Sequence, residues 1–338
     1  MKIYQNSDVD VNLLKNKKIG IIGYGNQGRA QALNLLDNDL NVQIGLRRKS
    51  DSIDTVINDG LKHCTIKELV HWADLISILI PDEIMSKVFS NSIEPFLKSN
   101  QILLFSHGYN IHYKKICTPK NVDVIMVAPS GPGYLVREKY INGSGVPNLI
   151  AVQNNSSGKA FDIALSYSYY IGGTRVGAFK STFKEECETD LFGEQVILCG
   201  GIPKLIQMAF QTLVNAGYQP IVAWFVCFYE VKMIVDLFFE KGFDYMNSAI
   251  SNTAEYGGYQ IGNKLIDREI SNKMKIVLED IQSGRFTRDW MLENKVHQAN
   301  FKATRRRNAA HDIEEVGASL RGMMPWIGAN RLVDKDKN

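Results

Sequence analysis

The chain has 338 residues, of which 45% are hydrophobic and 22% are charged, and this composition excludes a disordered or fibrous protein and fits two domains. Its 39 basic and 36 acidic side chains are interspersed, so a nucleic-acid-binding protein is not supported, and the run at 305 to 307 is interpreted as a solvated helix face. Five cysteines without a CxxC pair predict reduced, mostly buried thiols, and the lack of a signal core or a long apolar run predicts a cytoplasmic protein without a membrane span.

The first half of the chain alternates short apolar runs with helical or polar stretches. Residues 18 to 23 (KIGIIG) form a strand-like run, and the apolar spacing from 27 to 36 is helical. Further strand-like runs lie at 42 to 46, 75 to 80, 102 to 105, 124 to 128 and 149 to 152. Strands that alternate with helices predict an α/β fold with a mostly parallel, doubly wound sheet.

The second half reads as all helical, because strand-like runs largely vanish after about Gly177 and long amphipathic segments follow. These segments lie at 182 to 199, 203 to 216, 222 to 240 and 272 to 283. We therefore predict a nucleotide-binding domain over residues 1 to 181, a helical domain over 182 to 327 and a flexible tail over 328 to 338.

A glycine motif follows the first long strand: Gly23, Tyr24, Gly25, Asn26, Gln27 and Gly28 match G-x-G-x-x-G. The first glycine permits a tight turn, the second lets the backbone approach a pyrophosphate, and the third lets helix and strand pack closely. A lone motif of this kind can be a bare structural turn. Its position between a strand and a helix favours dinucleotide binding in a Rossmann-type domain.

Residues about 20 positions after the glycine motif usually distinguish NAD from NADP, because an NAD site has a carboxylate there that binds the ribose hydroxyls. This chain instead offers cations and hydroxyls, from Arg47, Arg48, Ser50 and Ser52. Such groups suit a 2′-phosphate and favour NADPH. The alternative is an exposed basic loop, which Asp51 keeps open.

His107 follows the fourth strand-like run, at a strand's carboxyl end where ligands bind in open α/β sheets. A histidine at this position could equally be a capping or core residue. It is therefore a candidate site residue.

Carboxylates are dense between residues 183 and 194, and Asp190 and Glu194 lie four residues apart on one helical face. Such a pair can hold a hard cation. The alternative, that acids favour the first turn of a helix, explains Glu185 and Glu186 better. Glu230 stands among apolar residues, and a buried carboxylate there would need a metal or cation partner.

These segments, in this order, resemble the short-form ketol-acid reductoisomerases over nearly the whole chain, to about residue 327. The matching stretches are GYGNQG from Gly23, SHGYNIHY from Ser106, MVAPSGPGYLVREKY from Met126, GSGVPNLIAV from Gly143, TFKEECETDLFGEQ from Thr182 and ISNTAEYGGY from Ile250.

The resemblance implies that an acetohydroxy acid such as 2-acetolactate chelates two magnesium ions, undergoes an alkyl shift and is reduced by NADPH to a 2,3-dihydroxy acid. This step belongs to valine and isoleucine biosynthesis. A knotted helical domain and an obligate homodimer with a shared active site, with a possible higher assembly, are also implied. The implied roles are metal ligation by Asp190, Glu194 and Glu230, substrate contact by Ser251, an active-site role for His107, and cofactor contacts by Asp82 and Gly133.

The chain departs from the family pattern at the site. Ser130 stands in place of a lysine, Val226 in place of the first glutamate of a second metal-binding pair, and Tyr229 in place of a histidine, while Gln219-Pro220-Ile221 lacks an acidic residue. Valine cannot ligate magnesium, so weaker metal binding is expected. The alternatives are a catalytically impaired or non-catalytic paralogue of this fold, able to pair with an intact copy, and a plain NADPH-dependent ketone reductase.

Overall fold

The computed structural model describes residues 2 to 324 and separates them into two compact units, the first ending at Cys187 and the second beginning at Glu188. The division falls inside a single helix, Phe183–Gly193. The predicted tail from 328 and the predicted end of the helical domain at 327 lie outside the described residues.

The first unit contains one nine-stranded sheet in the order β1-β9-β8-β7-β6-β5-β2-β3-β4. Six neighbouring strands, from β4 to β7, run parallel, whereas β7 pairs antiparallel with β8 and β1 pairs antiparallel with β9. The strands are β1 (Ile3–Tyr4), β2 (Lys18–Ile22), β3 (Asn41–Leu46), β4 (Lys62–Thr65), β5 (Leu75–Ile78), β6 (Ile102–Phe105), β7 (Asp123–Pro129), β8 (Asn148–Asn154) and β9 (Ala178–Lys180).

The order of the parallel strands places a topological switch point between β2 and β5. The chain leaves β2 towards β3 and β4, then returns to the other side of β2 to form β5, β6 and β7. Ligands of open α/β sheets bind outside the carboxyl ends of the strands at such a point. The predicted, mostly parallel sheet is confirmed. The loops after β2, β5 and β6 are where a ligand is expected.

Helices cover both faces of this sheet. One face packs α2 and α8 against alternate residues of β2, β3, β6 and β7, and the opposite face packs α4 and α5 against the others. Alternation of side chains along a strand produces these two cores. The helices of the first unit are α1 (Asn12–Lys15), α2 (Asn26–Leu36), α3 (Ile53–Asn58), α4 (Ile66–Trp72), α5 (Asp82–Val88), α6 (Tyr109–His112), α7 (Gly133–Ile141) and α8 (Ala160–Tyr170).

The second unit is helical throughout its described residues, as predicted. Its helices are α9 (Phe183–Gly193), which begins in the first unit, α10 (Gly201–Asn215), α11 (Pro220–Trp224), α12 (Glu230–Lys241), α13 (Phe243–Ala249), α14 (Asn252–Leu265), α15 (Arg268–Gln282), α16 (Arg285–Lys295), α17 (Ala299–Ala309) and α18 (Asp312–Gly322). π-Helical turns extend α9 over Glu194–Leu198 and join α11 to α12 over Phe225–Tyr229.

The core of the second unit is small for its length. Phe210, Ala223, Trp224, Ile313 and Leu320 form the described buried cluster. Many large apolar side chains of this unit lie on its surface instead, among them Leu198, Met208, Phe239, Phe243 and Leu265. So many large apolar side chains at the surface are unusual for a folded protein.

One helical stretch, residues 183 to 215, is long and apolar enough to cross a membrane by length and composition alone, a test that core helices also pass. Acidic residues up to Glu194 and then Lys204 interrupt the stretch, so it is not a continuous apolar run of about 20 residues.

The expectation of mostly buried thiols is wrong. All five cysteines are free, and only Cys187 is buried.

Candidate active site

The glycine motif forms the turn between β2 and α2. Gly23 has φ +98°, and a Cβ there would lie 2.4 Å from the Leu79 carbonyl oxygen. A Cβ on Gly28 would lie 2.5 Å from the Gly23 carbonyl oxygen, whereas a Cβ on Gly25 would meet nothing within 4 Å. The first and third glycines are thus required by packing. The second leaves the N-terminus of α2 open to an anion.

An ion pair ties this loop to α3. The Tyr24 hydroxyl donates to Asp59 Oδ2 at 2.7 Å, and Arg29 donates to the same carboxylate through Nε at 2.7 Å and Nη2 at 2.9 Å. Burial by itself raises the pKa of Asp59, but the hydrogen bonds from Arg29 and Tyr24 outweigh it and leave this pKa lowered. The glycine loop is therefore fixed to the helix that follows the basic loop.

The basic loop connects β3 to α3, beside the glycine loop, because β3 neighbours β2 in the sheet. Arg47 and Arg48 are exposed, while Ser50 and Ser52 are partly buried. The backbone N–H of Ser52 donates to Ser50 Oγ at 3.3 Å. Two cations and two hydroxyls thus stand at the carboxyl end of β3.

Asp82 begins α5, after β5. Its carboxylate accepts a hydrogen bond from Asn110 Nδ2 at 2.9 Å. Burial raises the pKa of Asp82, and the charge of His107 and the hydrogen bond from Asn110 oppose that rise. Asp82 therefore lies within electrostatic reach of His107.

Gly133 begins α7 and packs against the start of α2. A Cβ on Gly133 would lie 2.2 Å from the Asn26 carbonyl oxygen and 2.7 Å from the Gln27 nitrogen. Only glycine permits this approach. The loop after β7 is thereby held against the glycine loop.

His107 lies in the loop after β6, and its partner is Glu186, an acid whose place in the first turn of α9 suggested only a helix-terminus role. Its Nδ1 is 3.0 Å from Glu186 Oε1, and the backbone N–H of Gly108 donates to Glu186 Oε2 at 2.6 Å. The Glu186 side chain is 6% exposed. Glu186 is a site residue that sequence reasoning missed. Its spacing of one helical turn before Asp190 was the available signal.

Comparison with known families covers nearly the whole chain. The family model described as acetohydroxy acid isomeroreductase, NADPH-binding domain, matches residues 13 to 177. The one described as ketol-acid reductoisomerase, C-terminal domain, matches residues 183 to 326. The chain belongs to the ketol-acid reductoisomerase family. Its function is that of an NAD(P)-dependent ketol-acid reductoisomerase, and nothing in these matches favours a non-catalytic paralogue.

Solved structures agree with this assignment. The NADH-preferring ketol-acid reductoisomerase from an uncultured archean is 41% identical, with a TM-score of 0.93 over 96% of this chain and 99% of that one. Two more distant structures share the fold alone. They are a semialdehyde dehydrogenase NAD-binding protein from Cupriavidus necator (18% identity, TM-score 0.59, 79% and 99% covered) and a pyrroline-5-carboxylate reductase from Coxiella burnetii (12%, 0.56, 79% and 98%).

In this reductoisomerase, Asp190 and Glu194 are both exposed and one turn apart, where α9 passes into its π-helical turn. Burial, and then the negative charges of Glu194 and Asp190, raise the pKa of the Cys199 thiol. Two neighbouring carboxylates are the oxygen donors that magnesium prefers. This pair fits a magnesium ion.

Glu230 begins α12, directly after the π-helical turn. The expectation that Glu230 is buried is wrong, because its side chain is exposed. The neighbouring apolar residues are largely on the surface too: Val226 is 46% and Phe228 is 38% exposed. Val226 offers no oxygen, so the residues of this helix fit one metal contact through Glu230 but not a pair.

Two further predicted site residues have local structural roles. Ser251 is the N-cap of α14, where its hydroxyl accepts a hydrogen bond from the Ala254 N–H at 3.2 Å. Ser130 is exposed, and its backbone N–H donates to the Pro147 carbonyl at 2.8 Å. The substrate contact of Ser251 stays a prediction.

Proposed function

We propose that this reductoisomerase uses NADPH to reduce an acetohydroxy acid of the 2-acetolactate type. The observation that carries the cofactor choice is the loop after β3, where Arg47, Arg48, Ser50 and Ser52 stand at the position that an NAD site usually gives to a carboxylate. Guanidinium and hydroxyl groups suit a 2′-phosphate. The NADH preference of the archean relative makes NADH the competing cofactor.

The cofactor's pyrophosphate fits the glycine loop. The open direction at Gly25 and the N-terminus of α2 would receive it, because unpaired N–H groups and the helix dipole favour an anion there. Asp82 and Gly133 would border the same cofactor. The hydride that reduces the ketone is the cofactor's contribution.

Magnesium would be held by Asp190 and Glu194, with Glu230 as a further ligand. The metal supplies Lewis-acid polarisation of the substrate's oxygens. Because Val226 has no oxygen, water would fill that coordination position, and affinity would fall accordingly. One well-formed metal position and a weakened second one are the expected outcome.

His107 has a positioned imidazole in this scheme. The Glu186 carboxylate is an acceptor, so the 3.0 Å contact puts a proton on Nδ1 and leaves Nε2 to accept or relay a proton near the substrate. Ser251 would bind the substrate through its hydroxyl. Its N-capping bond uses only one lone pair and leaves the O–H free to donate.

The partner would be a second copy of the chain. The exposed apolar side chains of the second unit, including Phe239 at 85% and Phe243 at 69%, are more surface than a monomer usually leaves open. A homodimer with a shared active site, a knotted helical unit and a cytoplasmic location complete the proposal.

The test follows oxidation of NADPH and of NADH by the purified protein with 2-acetolactate and magnesium. It compares the native chain with the double variant Ser130→Lys with Val226→Glu. Turnover with NADPH at a higher kcat/KM than with NADH supports the proposal, and a lower magnesium requirement in the double variant supports the weakened second position. Preference for NADH overturns the cofactor choice. If neither protein oxidises NADPH or NADH, the proposed activity is wrong.

A further inference from the structure

A hydrogen-bond network begins at Gln31, a buried residue in the middle of α2. Gln31 Nε2 donates to Gln27 Oε1 at 3.0 Å and to Ser106 Oγ at 3.1 Å. The Tyr167 hydroxyl donates to Gln31 Oε1 at 2.9 Å, and Gln27 Nε2 donates to the Gly131 carbonyl at 2.9 Å. We call these five residues the Gln31 network.

The network allows a single arrangement of its amides. A backbone carbonyl only accepts, so Gln27 must present its NH₂ group to Gly131 and its oxygen to Gln31. Gln31 must then donate to Gln27, which leaves its own oxygen to accept from Tyr167. Both Gln31 and Tyr167 are 0% exposed. The central amide is therefore held rigidly, because any rotation of the Gln31 side chain would leave one of its buried polar groups without a partner.

The Gln31 network joins three loops that leave the sheet at the same edge. Gln27 belongs to the glycine loop after β2. Ser106 directly precedes His107 after β6, and Gly131 follows Ser130 after β7. These loops carry the cofactor motif, the imidazole and the start of α7. Gln31 contacts the first two loops directly, through Gln27 and Ser106, and reaches the third through the bond from Gln27 to Gly131.

We propose that Gln31 is a positioning residue for hydride transfer, which sets the distance between the glycine loop and the His107 loop. This inference rests on the proposed reductase function. Hydride transfer depends on near-attack geometry, and a displacement of about 1 Å can cost a hundredfold in rate. The rigid network keeps that displacement small.

The variant Gln31→Met removes both amide groups and keeps the length of the side chain. We expect kcat to fall about tenfold to hundredfold, with the NADPH dissociation constant changed less than about threefold, because the pyrophosphate contacts remain. The primary deuterium isotope effect measured with 4-deuterated NADPH should rise as hydride transfer becomes slower. The matched control is Gln101→Met, since Gln101 is also buried and also donates two bonds, to the Val70 and Ala73 carbonyls at 2.7 Å each, but lies before β6 and outside the network. It should lose stability to a similar degree and lose less than about threefold in kcat.

If Gln31 only stabilised the fold, the two variants would show a different relation between kcat and Tm. If the two variants lose kcat in proportion to their fall in Tm, or if Gln31→Met keeps native kcat, the positioning role is wrong. A second readout does not need turnover. The imidazole NMR signals of His107 in the NADPH-bound protein should shift in Gln31→Met and stay near native in Gln101→Met. An inactive native protein with this NMR shift would overturn the proposed function, whereas an active protein without the shift would overturn the positioning role.

Discussion

Glu186 accepts hydrogen bonds at both carboxylate oxygens, one from the His107 ring and one from the Gly108 backbone. The variant Glu186→Gln keeps the shape but replaces one acceptor with an NH₂ group, so one of these donors faces another donor. Orienting partners of this kind are worth about tenfold to a hundredfold in activity. We expect kcat to fall by that factor with the NADPH KM nearly unchanged, as measured by steady-state kinetics.

A neighbouring acid on the same helix provides the control for this prediction. Glu185 is exposed and accepts from the Ser181 hydroxyl at 2.7 Å, so Glu185→Gln should leave kcat within about twofold. Equal losses in the two variants would mean that charge on the helix, and not the orientation of His107, controls the rate.

Asp59 accepts from Tyr24 and Arg29, and its pKa is lowered by these bonds despite burial. The folded-state pKa lies below the unfolded value of about 3.9. The stabilisation is therefore fully present above the unfolded pKa and is lost as the pH falls through the folded pKa. Asp59→Asn should lower the free energy of unfolding by about 1 to 3 kcal/mol at pH 7.

Urea denaturation at several pH values checks the Asp59 prediction. The difference in the free energy of unfolding between the native protein and Asp59→Asn should stay constant from pH 7 to pH 5 and become smaller below about pH 4. If this difference disappears already between pH 7 and pH 5, a group other than Asp59 causes the pH dependence of stability.

Sequence reasoning succeeded at residues whose role depends on their immediate neighbours. The glycine loop is such a case, because strand, turn and helix follow one another in the chain. Glu186 was missed because its partners, His107 and Gly108, lie 79 and 78 residues away. The prediction that Glu230 is buried was wrong. It rested on apolar neighbours in the sequence, and several of these neighbours, such as Val226 and Phe228, are exposed in the structure.

At the scale of elements, α2 and α7 approach each other through Gly133. A methyl group there would overlap the Asn26 carbonyl, at 2.2 Å, so Gly133→Ala must push α7 away from the glycine loop. Overpacking of this kind costs about 1 to 3 kcal/mol of stability. We expect that loss in urea denaturation, together with a raised NADPH dissociation constant in fluorescence titration.

The control for Gly133 is Gly322→Ala at the end of α18, where a Cβ meets nothing within 4 Å. This variant should bind NADPH as the native protein does. An unaltered dissociation constant in Gly133→Ala would show that the close contact serves packing alone.

Element boundaries were predictable where periodicity was long enough. The helix from 27 to 36 and the strand from 102 to 105 agree with α2 and β6. β1, β4 and β9 were not predicted: β1 and β9 have only two and three residues, and β4 (KHCT) is exposed or partly buried and has no apolar run, unlike the equally short β6 (ILLF). The π-helical turns after α9 and α11 were not predicted either, because one extra residue in a turn does not change the helical spacing of the apolar residues enough to be detected.

At the scale of the whole molecule, the proposed dimer makes Phe239 a test position. Its side chain is 85% exposed, and a charge in an apolar interface commonly costs 2 kcal/mol or more, about thirtyfold in the dissociation constant. Phe239→Asp should therefore shift the protein towards monomer in sedimentation velocity at micromolar concentration.

An exposed apolar residue of the first unit serves as the control for Phe239. Ile57 is 56% exposed, and Ile57→Asp should leave the sedimentation profile unchanged. A monomeric native protein, or a dimer unaffected by Phe239→Asp, would contradict an interface on this surface. The sequence predicted two regions of different architecture, but a single chain's pattern does not tell an apolar face that meets its own core from one that meets a second copy.

The pairing of β1 with β9 joins the beginning of the chain to residues about 175 positions later, with Ile3 opposite Phe179 and Tyr4 opposite Ala178. During synthesis the first strand has no partner until most of the first unit has left the ribosome. At about 5 to 20 residues per second, that wait lasts roughly ten to forty seconds. The edge pair β1 and β9 therefore forms late, and β1 is among the last strands of this unit to find a partner.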